Sequence, residues 1–201
     1  MLFSPACERN KQPILAVLRD WLPSPLRVLE LGSGSGQHAH FFCSQLAGLH
    51  WQTSERAESL ADLQEALVVA PAELAAGAAL PEPLELDVTR AETWPPGPWD
   101  AVFSANTCHI LPETALAPLL AGSRRALRPG GLLLLYGPFQ DHGVHTAASN
   151  AAFDAHLRSL DPVMGVRDAA ELLEQARGLG LEPLADVAMP SNNRMLILRA
   201  T

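Results

Sequence analysis

The stretch VLELGSGSGQH, residues 28–38, decides the fold. An apolar run breaks into three glycines, Gly32, Gly34 and Gly36, spaced one residue apart. The residues after them have helical spacing, with Ala39, Phe42, Cys43 and Leu46 on one face. The pattern predicts a strand, a glycine turn and a helix. Glycine at such a turn takes positive φ freely and lets the backbone approach a ligand without Cβ bulk, and the ligand is most often a nucleotide.

Working outward, the same alternation of strand and helix continues along the chain. Upstream, Ile14, Val17, Leu18 and Trp21 predict a helix over about residues 10–22 with Pro13 in its first turn, and the strand itself runs over 27–32. Downstream, strands are expected at 50–55, 83–88, 99–106 and 131–137. Leu60, Leu63 and Leu67 mark one intervening helix, and Leu116, Leu119, Leu120 and Leu127 mark another that Pro129 and Gly130 close. Asn150 is a candidate cap for a helix carrying Phe153, Leu157 and Leu160, and Asp168 with Glu171 has capping-box spacing for a helix ending near Gly178. Residues 181–189 and 194–200 are two strand-like runs joined by too few residues for a crossover helix, so they should pair antiparallel. The expected fold is α/β: one domain over residues 1–201, with a doubly wound, mostly parallel seven-stranded sheet, helices on both faces and a C-terminal antiparallel hairpin.

Composition narrows the function classes. A chain of 201 residues with 48% hydrophobic content can bury about 70% of its unfolded surface. The formal charge of −8 argues against a basic face that grips nucleic acid. Cys7, Cys43 and Cys108 have no paired spacing, so neither a disulfide framework nor a metal site is expected, which fits a reducing compartment. The first residues lack a basic-then-apolar leader, and LLLLY at 132–136 is too short to cross a bilayer, so a cytoplasmic protein without membrane contact is expected. Oligomeric state is left open.

In a doubly wound sheet the ligand lies beyond the carboxyl ends of the strands. Four features fall on that rim: the loop Gly32-Ser33-Gly34-Ser35-Gly36; Glu55 at the end of the second strand, where a carboxylate can accept from ribose hydroxyls; Asp87 at the end of the third, placed to accept from an exocyclic amine; and Asn106 at the end of the fourth. The dinucleotide fingerprint wants a third glycine where this chain has Gln37. Glu30, two residues before Gly32, would repel a pyrophosphate but suits a ligand bearing an ammonium and a sulfonium.

These motifs, ELGSGSG at 30–36, the acidic end of the second strand, LDV at 86–88 and LRPGGLLLL at 127–135, resemble the class I S-adenosylmethionine-dependent methyltransferases over nearly the whole chain. The stretches SPACERNKQPIL, FSANTCHI, LYGPF, HTAASNAAFDAHLRSLDP, GVRD and MPSNN resemble more narrowly the methyltransferase-like 26 family, also catalogued as a domain of unknown function. The resemblance implies S-adenosylmethionine as cofactor, with Gly32, Ser33, Gly34 and Gly36 around its methionine and ribose portions, Glu55 on the ribose hydroxyls, and Asp87 with the Val88 amide on the adenine edge. It also implies Glu30 near the methionine ammonium and Asn106 at the methionine end. Glu55 stands where the narrower family often has Asp, so the longer side chain must retract or shift.

Residues for chemistry are fewer. Methyl transfer from a sulfonium is an in-line displacement with an activated leaving group, so positioning supplies much of the rate and a general base is optional. His109 and Tyr136 are the catalytic candidates, the first as base or substrate ligand, and Arg9 is a candidate for the methionine carboxylate. His142, His145 and Asp141 read as a mobile loop or lid rather than a metal set. The expected activity is methyl transfer to a small-molecule acceptor. Methylation of protein or RNA, nicotinamide-dependent oxidoreduction and cofactor binding without catalysis are the alternatives.

Overall fold

A computed structural model describes residues 3–23, 26–69 and 73–201. The first helix, α1 (Pro5–Trp21), starts five residues before the expected Asn10. Ser4 caps it by accepting from the Cys7 amide, and Pro5 takes the first-turn position that Pro13 was expected to hold, so Pro13 lies inside the helix. The glycine unit is built as β1 (Leu26–Glu30) and α2 (Gln37–Gln45).

The expected second strand divides at Thr53 into β2 (Leu49–Gln52) and β3 (Ser54–Glu55), before α3 (Ala57–Val69). The third shrinks to β4 (Leu84–Glu85), which pairs only with β3 in a separate parallel pair. Pro81 and Pro83 offer no ladder N–H on its approach, and Asp87 already turns the chain by accepting from the Thr89 amide. The main sheet therefore has six strands instead of seven.

The remaining elements are β5 (Trp99–Ala105), α4 (Leu116–Ala126), β6 (Leu127–Gly137), β7 (Phe139–Asp141), β8 (Val144–His145), α5 (Ala148–Leu160), β9 (Arg167–Asp168), α6 (Ala169–Gly178), β10 (Leu181–Met189) and β11 (Asn193–Ala200). Leu127 belongs to β6, not to the preceding helix. Pro129 and Gly130 sit in a wide register shift, so that Trp99 pairs with Leu127 but Ala101 with Leu132. The segment expected as a mobile loop over 141–145 is instead part of a small three-stranded sheet, β8-β7-β9, in which the Gly143 amide donates to Asp168. Asn150 does not cap α5. Ala147 occupies the position before the helix without a side-chain bond to it, and the Asn150 side chain donates to the Asn192 carbonyl, 3.0 Å away. Asp168 caps α6 as its spacing predicts, accepting from the Ala170 and Glu171 amides.

The main sheet runs β10-β11-β6-β5-β1-β2. β1, β2, β5 and β6 are parallel, and β11 lies antiparallel between β6 and β10. Alternation sends Leu29, Val102, Leu133, Leu135, Leu196 and Leu198 to one face, against α4 and α6. Val28, Phe103, Leu134, Tyr136 and Met195 go to the other, against α1 and α2. The parallel strands end together, with Glu30 opposite Phe103 and Ala105 opposite Tyr136. That shared edge carries the candidate site. Among the described residues no helix is long and apolar enough to cross a membrane.

Candidate functional site

All three glycines of the loop have positive φ, +68° at Gly32, +56° at Gly34 and +69° at Gly36. Two of them are pressed by protein: a Cβ on Gly36 would lie 2.6 Å from Leu67 Cδ2, and one on Gly32 3.0 Å from Thr107 Oγ1. A Cβ on Gly34 would meet nothing within 4 Å, so the middle glycine alone faces open space. The loop is held from the β2–β3 side. Ser33 N donates to the Ser54 carbonyl at 3.0 Å, Ser54 N donates to Ser33 Oγ at 3.1 Å, and Gly34 N donates to Glu55 Oε2 at 3.0 Å.

Glu55 thus does end β3 beside the loop, and its carboxylate takes the Gly34 amide on one oxygen and the Arg56 amide on the other. Each oxygen keeps a second lone pair able to accept from a further donor. Asp87 lies in the turn after β4. Its Oδ1 accepts both the amide and the hydroxyl of Thr89, and those bonds hold its carboxyl below the usual range. No described residue bonds to Oδ2, and the neighbouring Val88 amide makes no hydrogen bond to a described residue.

Glu30 is 2% exposed, accepts from Trp51 Nε1 at 2.9 Å, and pairs with no cation among the described residues. Burial pushes its carboxyl up to about 7, against the bonds from Trp51 and Ser33, and the nearby Glu55 charge adds to the rise. Positive charge brought beside such a group favours its ionised form. The sequence placed Glu30 beside the loop but gave no hint of how deeply it is buried.

On the other side of β5, Asn106 has φ +60° and donates its amide to the Tyr136 carbonyl at 2.8 Å, a left-handed conformation that Asn tolerates at functional turns. His109 is buried, edge-on to Phe153 with ring centroids 5.2 Å apart. Burial, with the nearby Arg167 charge, lowers it to about 4, so its imidazole is neutral. A Cβ placed on Gly137 would lie 3.8 Å from His109 Nδ1 and 3.9 Å from Asn106 Oδ1, so these three residues border one small space.

Tyr136 is 3% exposed, and its hydroxyl accepts from Asn193 Nδ2 at 3.0 Å. Burial raises its phenol, opposed by the Asn193 and Asn10 amides and by the Arg9 charge. Arg9 is exposed on α1 and makes no ion pair with a described residue. The sequence reading missed Asn10, His38 and Asn193. His38 is stacked on Phe42, and its Nε2 lies 2.7 Å from Asn10 Oδ1. The one signal available was polarity in the wrong place, since Asn10 stands a helical turn before Ile14 on the buried stripe of α1. A groove of about 720 Å³ runs along α6 by Asp141, His142 and Arg194 and contains none of these rim residues.

Similar folds occur in solved methyltransferases. An O-methyltransferase family protein from Burkholderia thailandensis matches with TM-score 0.79 and 16% identity, over 98% of this chain and 57% of that one. Mitomycin 7-O-methyltransferase MmcR matches with TM-score 0.77 and 20% identity, over 96% and 54%. Human N-acetylserotonin methyltransferase, solved with S-adenosylmethionine, matches with TM-score 0.74 and 16% identity, over 97% and 52%. This chain spans a little over half the length of each. At these identities the likeness establishes the Rossmann-like methyltransferase fold. The family model described as "Protein of unknown function (DUF938)" matches residues 1–200, and the chain belongs to that family.

Proposed function

We propose that the chain is an S-adenosylmethionine-dependent methyltransferase acting on a small-molecule acceptor, and that it is akin to the methyltransferase-like 26 proteins its sequence resembles. The observation that carries the reading is Glu30: a buried carboxylate with no cationic partner among the described residues, at the end of the strand that leads into a loop whose middle glycine faces open space. A pyrophosphate there would meet repulsion, whereas an ammonium and a sulfonium would supply the missing charge. Gly32, Ser33, Gly34 and Gly36 then wrap the methionine and ribose, Glu55 takes the ribose hydroxyls, and Asp87 Oδ2 with the Val88 amide reads the adenine edge. Asn106 lies at the methionine end.

The transfer needs little from the protein. The acceptor's lone pair displaces the sulfide in line, so the main tasks are alignment and exclusion of water. His109, neutral and beside the Gly137 space, receives the acceptor's proton where that atom carries one. Isothermal calorimetry with S-adenosylmethionine, S-adenosylhomocysteine and NAD tests the reading. Binding of the first two, with loss of affinity in Asp87→Ala, is expected. Binding of NAD alone would overturn it in favour of an oxidoreductase.

A further inference from the structure

Arg167, in the GVRD stretch at 165–168, is 6% exposed and forms no ion pair with a described residue. A guanidinium keeps its charge when buried, so the bonds it makes instead are informative. Its Nε donates to the Cys108 carbonyl at 3.2 Å, and its Nη2 donates to the Leu111 carbonyl and, at 2.6 Å, to the Val163 carbonyl. Between Cys108 and Leu111 stands His109, whose own carbonyl accepts from the Gly165 amide at 2.9 Å. Three carbonyls of one short turn are therefore taken by Gly165 and Arg167. The same segment fastens α5. Asp154 accepts from the Val166 amide at 2.7 Å and from Arg158 Nε at 2.9 Å, and its neighbour Phe153 lies edge-on to His109 with ring centroids 5.2 Å apart. The turn that carries the imidazole and the helix that packs on it are thus tied to the same three residues, 165–167.

Carbonyls alone can be satisfied by neutral donors, but the guanidinium also brings a fixed charge. The titratable and charged groups on the surrounding elements are Glu113 ahead of α4, His145 on β8, Asp154 and Arg158 on α5, and Arg167 on β9. Asp154 is already engaged by Val166 and Arg158, and of these groups Arg167 bears on the His109 ring, where like charge opposes an imidazolium. We propose that Arg167 is a positioning residue for the transfer step: by binding the carbonyls on either side of His109 it fixes the imidazole edge-on to Phe153, with Nδ1 beside the Gly137 space. The inference rests on the reading of His109 as the group that takes the acceptor's proton. Arg167 touches no substrate in this arrangement and acts through His109.

Proton NMR of the His109 ring, identified by the signal lost in His109→Gln, reads position and charge together. In the wild type the ring is expected to show a nuclear Overhauser contact to Phe153 and no titration between about pH 5 and 8. Arg167→Met, which removes fork and charge, should lose the contact and raise the titration by at least about one pH unit, with S-adenosylhomocysteine affinity by calorimetry within about twofold. Arg167→Lys, which restores the charge without the fork, should keep the titration low but still lose the contact. Leu26→Ala, a core truncation at the opposite end of β1, controls for general loosening and should lower the melting temperature while moving neither signal. A wild-type ring that titrates near 6.5 or lacks the Phe153 contact overturns the proposal without any variant. So does an Arg167→Met protein that melts lower yet keeps both signals, a Leu26→Ala protein that moves them as far, or, where Arg167→Met does not fold, an Arg167→Lys protein that keeps the contact. Failure of the wild type to bind S-adenosylhomocysteine, with both ring signals as expected, would instead remove the methyltransferase reading, and with it the clamp's part in transfer.

Discussion

The two halves of the sheet edge differ in charge and in how they are held. On the β1–β3 side stand Glu30, Glu55 and Asp87, and the loop they surround is fixed by backbone bonds such as Gly34 N to Glu55 and Ser33 N to Ser54. On the β5–β6–β11 side stand Asn106, His109, Tyr136 and Asn193, nearly all neutral, joined by side chains from distant parts of the chain. One half is an acidic cradle of local geometry. The other is a set of amides and rings that tertiary packing alone brings together. The contrast teaches that the two halves should fail differently: damage to the first should weaken binding of the cofactor, and loss of His109 from the second should leave that binding intact while slowing transfer.

Substitution at the open glycine should have the largest effect. Gly34→Ala places a methyl where no protein atom lies within 4 Å, so the fold loses only the left-handed strain, about 1–2 kcal/mol, while S-adenosylhomocysteine affinity falls at least about a hundredfold. Thermal denaturation and calorimetry on one sample separate the two. His109→Gln tests the other half. Its turnover should drop by about ten- to a hundredfold, once an acceptor is in hand, with cofactor affinity unchanged. A parallel loss of affinity would erase the division between the halves.

Glu30→Gln sharpens the comparison through pH. The ordinary carboxyl value is 4.5 and the folded value about 7, so the folded state holds a proton that the unfolded state has released between those limits, and stability falls as pH rises through that window. The loss reaches about 3 kcal/mol above pH 7. The glutamine variant should therefore melt higher than wild type at pH 8 and match it near pH 4. Its affinity for S-adenosylmethionine should fall about tenfold at pH 8, and the wild-type rise in affinity from pH 6 to 8 should disappear. Asp87→Ala is the mildest, weakening S-adenosylhomocysteine by about fivefold through one lost acceptor.

The legible parts of the molecule were those with short-range rules. Three spaced glycines after an apolar run, most of the period-two and period-3.6 patterns, and the Asp168 cap produced the elements they predict. The start of α1 was equally local, since Ser4-Pro5 is a cap followed by a first-turn proline, but the apolar periodicity that begins at Ile14 drew the boundary too late. The strand over 83–88 failed for a different reason: alternation was present, but Pro83 and the turn at Asp87 left only two residues free to pair. The cradle was readable because its acids end successive strands. The Asn10–His38 and Tyr136–Asn193 pairs were not, because their members come from two helices and two strands far apart in the chain, and only the register of β6 with β11 unites the last pair.

That register has a bearing on biogenesis. Until Met195–Leu198 settle against Leu133–Tyr136, the leucine-rich strand β6 is a bare rim of the growing sheet, the kind of surface that invites self-association. Only when β11 slides in do Tyr136 and Asn193 meet, so a nascent chain arrested before residue 193 could already own its glycine bend and yet lack half of its pocket.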